Sequence, residues 1–387
     1  MIMLRGLKMK KGKIINFEFL WDLDTVIEID ATKILLKDIE EAAKNGFNVI
    51  LGIMLNEGIL PYDTLSCVKM FEKLKLLETK LQIEIILVSA VGTKFKSIEV
   101  PFQVIDFNYH ARLVYNAYAD KNFEKRQSDK FLFLGGCSTR PNRIGLLSKF
   151  YNKNMLDNME WSFFPPTYPA DKNYCRNYLK DFSESEYMNF IKTVDKKFDN
   201  VYADVTYLIH DSDQKHGDEW FDIKKSDFFK SPGYIDQAIF RRTKFSIISE
   251  GPNFWSNNHE FITIITWRTI INRHPFIFAG HPDQFKYIKS LGFKTFEEYL
   301  CIPDYAYIEN EQDRLSAVVE NAKHLLNNFS SEIYNDVEYN YNRYIEIISA
   351  QEKLFEHFIK DLGIDAEEIH YYLNQTGLAH LVRDVDV

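Results

Sequence analysis

The chain has 387 residues, 45% of them hydrophobic and 27% charged, the balance of an ordinary soluble globular protein of two domains. Its net charge of −9 argues against a broad nucleic-acid-binding surface, because neutralising phosphates takes clustered Lys and Arg. The aromatic share of 15%, with 31 Phe and 22 Tyr, supplies ample core material, and the wealth of Lys, Asn, Ile and Tyr suggests an AT-rich genome such as that of a virus, a phage or a low-GC bacterium.

The first third alternates strand and helix signals. "IINFEFLW" (14–21) reads as a strand and "ATKILLKDIEEAAKNG" (31–46) as a helix stopped by Gly46. A strand over 47–55, a helix over 62–80, a strand over 83–91 and a shorter strand over 101–107 follow, then a helix from His110 to about Ala119. Strands separated by helical stretches are the mark of βαβ units and a mostly parallel sheet. The charged stretch "ADKNFEKRQSDK" (119–130) interrupts the pattern as a linker, and "FLFLGG" (131–136) opens a second domain.

The segment from about Trp161 to Ser231 is rich in aromatics and Pro, with a helix near 184–197, and its sequence assigns no clear order of elements. Alternation returns with "FSIIS" (245–249), a helix over 260–272, "PFIFAG" (275–280), a helix over 282–291 and "GFKTF" (292–296). Beyond "NEQDRLSAVVENAKHLLNN" a long helix is expected from Ser331 to Leu362, with Ile333, Val337, Tyr341, Tyr344, Ile348, Phe355 and Ile359 at helical spacing. The expectation is therefore an α/β protein of two Rossmann-like domains facing a cleft. Residues 1–125 form the first, 126–330 the second, and 331–387 a helical tail. Glycosyltransferases with this plan are called GT-B, although other two-domain α/β proteins share it.

Cys67, Cys137, Cys175 and Cys301 show no CxxC spacing and read as reduced thiols of a cytosolic protein, without a zinc site. The first residues, "MIMLRGLKMKKGK", lack the apolar core of a secretory signal. No run of 18 uninterrupted apolar residues occurs, so no membrane span is expected and the cytoplasm is the expected compartment.

Chemistry concentrates in "FSIISEGPNFWSNNHEFITIITWRTIINRHPFIFAG", Phe245 to Gly280. A strand ending in Ser249-Glu250 and a helix capped by Asn257 or Asn258 would place two acids, Glu250 and Glu260, at the carboxyl edge of a parallel sheet, where open α/β sheets bind ligands. The free N–H groups of that helix, with Thr263, Thr266 and Arg268 on its first turns, suit a diphosphate, and the two acids suit sugar or ribose hydroxyls. "STRPNR" (138–143) places Arg140 and Arg143 three apart in a loop leaving a strand, where they could clamp a pyrophosphate. The plain alternatives are a helix-start acid answering the dipole and solvated arginines.

The stretch from Phe245 to Leu300, with "FLFLGGCSTRPNRIGLLSKF" (131–150) and "IPDYAYIENEQDRL", resembles the donor-binding half of fucosyltransferase-like GT-B glycosyltransferases of phage and giant-virus type. The resemblance covers roughly 130 to 330. It implies transfer of a sugar from a nucleotide-sugar donor, the cosubstrate, to a hydroxyl of a glycan, a protein or another small acceptor, a modified nucleotide included. It implies donor contacts from Arg140, Arg143, Glu250, Glu260, Thr266 and Arg268. Where the family has Glu-Lys after "FIT", this chain has Ile264-Ile265. That departure keeps open a catalytically inactive sugar- or nucleotide-binding protein, or a scaffold of a viral or phage glycosylation or assembly system. Asp22 and Asp24, after the first strand, and His110 are the candidates for the acceptor base. No metal is required, since Arg and a helix dipole neutralise the leaving phosphate. The alternative is a metal-dependent enzyme holding Mg²⁺ or Mn²⁺ through Asp211 and Asp213 of "YLIHDSDQKH".

Overall fold

The computed structural model describes residues 12–17, 30–53, 64–89, 103–106, 128–134, 141–162, 240–250 and 264–362, together with 111, 114, 115, 183, 185, 186, 188–190, 192, 193 and 262. The chain divides into two compact units: Met1–Arg112 with Asn253–Phe261 and Glu346–Val387, and Leu113–Pro252 with Ile262–Ile345.

In the first unit the expected alternation is present: β1 (Gly12–Phe17), α1 (Asp30–Lys44), β2 (Asn48–Ile53), α2 (Thr64–Leu81), β3 (Ile85–Ser89) and β4 (Gln103–Asp106). The four strands are parallel and ordered β1-β2-β3-β4, in register from Gly12 opposite Asn48 to Ser89 opposite Asp106. Each step moves the same way along the sheet, so right-handed crossovers place α1 and α2 on one face. Ile39 and Ala42 of α1, Leu74 of α2, Val49 and Ile85 are buried, while Leu76 turns outward.

The second unit contains β5 (Phe131–Leu134), α3 (Pro141–Asn152), β6 (Met159–Ser162), β7 (Ser246–Ile248), α4 (Ile264–Ile271), β8 (Phe276–Phe278), α5 (Pro282–Ser290), α6 (Glu311–Asn327) and the start of α7 (Ile333–Leu362). Its sheet is also parallel but ordered β6-β5-β7-β8. From β5 the chain steps one way to β6 through α3, and from β7 it steps the other way to β8 through α4. Right-handed crossovers then put α3 and α4 on opposite faces.

Side-chain parity agrees with that placement. Phe150 of α3 packs at 5.3 Å from Phe131 and 6.1 Å from Phe133, and Phe131 stacks on Phe245 at 5.2 Å. The alternate positions face α4, from which His274, just past its end, reaches Ser246. Helix α6 covers the α3 side and touches β8. Opposite, Trp267 of α4 packs edge-on against Phe293 at 5.8 Å and against Tyr344 of α7 at 5.6 Å. All these rings are buried, and full burial of one such side chain contributes roughly 1.5–3 kcal/mol.

Helices α1 to α5 leave by one device. A residue one or two positions past the end adopts a left-handed conformation (Gly46, Gln82, Asn154, Arg273 and Gly292), and the next N–H reaches back five residues: Phe47 to Ala42, Ile83 to Glu78, Met155 to Phe150, His274 to Thr269, Phe293 to Ile288. That bond satisfies an orphaned terminal carbonyl and redirects the chain.

Three sequence readings change in this unit. "MEWS" forms β6, with Met159 and Trp161 buried on either side of half-buried Glu160. "GFKTF" is no strand: Asn340 pairs with both backbone groups of Lys294 (2.7 and 2.9 Å), taking the partners a sheet neighbour would use, and Phe296 turns left-handed. In α7 the buried row runs Ile333, Val337, Asn340, Tyr344 and Ile348. Tyr341, expected on that face, instead lies under the Arg273 guanidinium, 3.6 Å from its ring centre. The expected helical stretch of Phe355 and Ile359 is present in α7.

Candidate functional site

Where strand order reverses, the loops after the two flanking strands part and leave a crevice at their carboxyl ends. In the second sheet the reversal lies between β5 and β7. Residues from both sides meet there.

From β5 the chain enters α3 at Pro141, whose fixed φ and missing N–H suit the first helical position. Arg143 sits in its first turn and is buried. A cation in a first turn opposes the helix dipole, and here a bond offsets that cost: its Nε–H donates to the Ser249 carbonyl, just past β7, at 3.2 Å. The next residue, Glu250, is fully buried and accepts a hydrogen bond from the Thr266 hydroxyl in the first turn of α4. Consecutive residues at the end of β7 are thus tied to the two opposite helical layers, Ser249 to α3 and Glu250 to α4. Removing a carboxylate from water is costly without such a partner.

Arg268 is 7% exposed and occupies the last turn of the eight-residue α4, not the first turns as the sequence reading had it. A cation there is favoured by the dipole, and its carbonyl accepts from both the backbone and the side-chain amide of Asn272 (3.2 and 2.8 Å). Of the sequence candidates, the structure therefore assembles Arg143, Glu250 and Thr266 around the end of β7, with Arg268 on the same short helix as Thr266. Asp22, Asp24, His110, Arg140, Glu260, the Asn257 or Asn258 cap, and Asp211 and Asp213 lie outside the described residues.

Sequence reasoning passed over the neighbouring edge of β8. Pairing continues past the strand, with Ala279 N–H donating to Ile248 O at 2.7 Å. Gly280 follows because a Cβ there would lie 2.5 Å from the Phe278 ring and 2.7 Å from Gln284 Oε1. His281 caps α5 by accepting the Asp283 N–H at Nδ1 (3.2 Å), and Gln284 Oε1 accepts the His281 N–H (2.8 Å). A side-chain acceptor followed by Pro and, three residues on, Gln was the available signal, "HPDQ".

A second histidine is structural. His274 is buried, and its Nε2–H donates to the Thr243 carbonyl at 2.9 Å while Nδ1 lies 2.7 Å from the Ser246 hydroxyl. Burial holds its pKa down at about 4, so the ring is neutral near pH 7 and stitches the amino end of β7 to the end of α4.

Among the described residues no group of three or more His, Cys, Asp or Glu could hold a metal ion, and no helix is long and apolar enough to cross a membrane. Among the described residues the fold is mixed α/β with two parallel four-stranded sheets, the second doubly wound. No family model, no curated protein and no solved structure matches the chain.

Proposed function

We propose that the chain is a glycosyltransferase that binds a nucleotide sugar at the carboxyl edge of the second sheet and passes the sugar to an acceptor hydroxyl. The observation that carries this reading is the cluster of Arg143, Ser249, Glu250 and Thr266 at the point of strand reversal, where α/β sheets bind nucleotides. A guanidinium beside a helix start suits a diphosphate, and a carboxylate that only accepts suits a sugar or ribose hydroxyl. Arg140, Glu260 and Arg268 complete the donor set in this proposal. We assign the acceptor (a glycan, a protein or a small molecule) to the first unit, with Asp22, Asp24 or His110 as its base. Positive side chains stabilise the leaving nucleotide without a divalent metal, and the work is done in the cytoplasm.

A second reading, binding without catalysis, draws on two observations. Ile264 and Ile265 open α4 where the resembling family has Glu-Lys, and Glu250 is already bonded to Thr266.

One panel separates these readings: thermal shift with UDP, GDP, CMP and dTDP and their sugars, with and without Mn²⁺. A ligand at a hundred times its Kd stabilises by about 2.7 kcal/mol. A metal-independent shift that disappears in Arg268→Ala, in a variant of unchanged circular dichroism, is expected. Donor turnover by the same sample selects the enzyme, and binding with no turnover selects the second reading. A shift seen only with Mn²⁺ transfers the site to Asp211 and Asp213, and silence across the panel removes the nucleotide proposal.

A further inference from the structure

We draw no further inference here: the strongest candidate, the fully buried Trp267 indole in the aromatic cluster between α4 and α7, whose Nε1 has no hydrogen-bond partner among the described residues, carries nothing because nothing there shows what would meet that N–H.

Discussion

Among the described residues each sheet has four parallel strands, and the two differ in the order in which the chain visits them. In the first, each crossover moves to the next position, so β1 to β4 run in sequence. In the second, the chain starts in the middle, and the reversal between β5 and β7 opens the edge to side chains from both layers. The same building unit therefore yields a sheet wound in one direction in one case and a reversal with a polar cluster in the other. Topology sets where a ligand can enter, and the residues at the reversal then decide what enters.

The sharpest way to break the comparison is to hollow out the second sheet alone. Phe131 touches Phe150 and Phe245 and is fully buried, so Phe131→Ala is expected to cost about 3–5 kcal/mol in urea unfolding followed by fluorescence. A loss below 1 kcal/mol would mean that the rings around it do not form a packed core.

Next in size is an acid sensitivity peculiar to the second sheet. The folded pKa of His274, about 4, lies below its ordinary value of 6.5, so between these values the unfolded chain binds more protons than the folded one. Stability is then greatest above pH 6.5 and falls as the pH drops toward 4, by on the order of 3 kcal/mol, with no further loss from this group below that. Urea titrations at several pH values check this. His274→Gln should flatten the slope across that window, and an unchanged slope would assign it to other groups.

The link from Glu250 to Thr266 tests the reversal itself. Thr266→Val leaves a buried carboxylate short of a donor and is expected to cost about 1–3 kcal/mol. In a double-mutant cycle with Glu250→Met the two losses should be clearly non-additive. Additive losses would show that the bond contributes nothing to the layer it joins.

The smallest effect belongs to the first sheet. Gly46 has φ +79° and no atom within 4 Å of a built Cβ, so Gly46→Ala meets no clash and still suffers the left-handed backbone cost of about 1 kcal/mol. Chemical denaturation measures it. A neutral result would show that the turn relaxes, and that the helix exits are less fixed than their hydrogen bonds suggest.

The helix exits also show what could be read in advance. Gly46 announces its turn in the sequence, as does Gly292, because only Gly adopts the left-handed region freely. Gln82, Asn154 and Arg273 perform the same turn, and for Gln82 and Arg273 nothing local marks it, since bonds to the preceding helix override their preference. Long strands and helices were legible through their periodicity, whereas β6 has four residues, too few for two-residue alternation to stand out. "GFKTF" misled because its alternation is real, but its backbone is taken by Asn340 from 46 residues away.

At the site, the polar residues of the β7 end were visible in "SEGPNFWSNNHEFIT". Their division between layers was not, because it depends on strand order. Arg143 was read as a phosphate clamp from its loop, and its bond to Ser249 could be found only once β5 and β7 were known to be neighbours.

The tyrosine at 305 has a consequence for the sheet as a whole. β8 stands at one end of the strand order, and its outward N–H at Phe278 is taken by the Tyr305 hydroxyl at 2.8 Å, from a residue that is itself fully buried. An open strand edge is a template on which another chain can add a strand. Among the described residues a phenol occupies that outward donor, so at Phe278 a side chain rather than another strand stands where an added strand would bond.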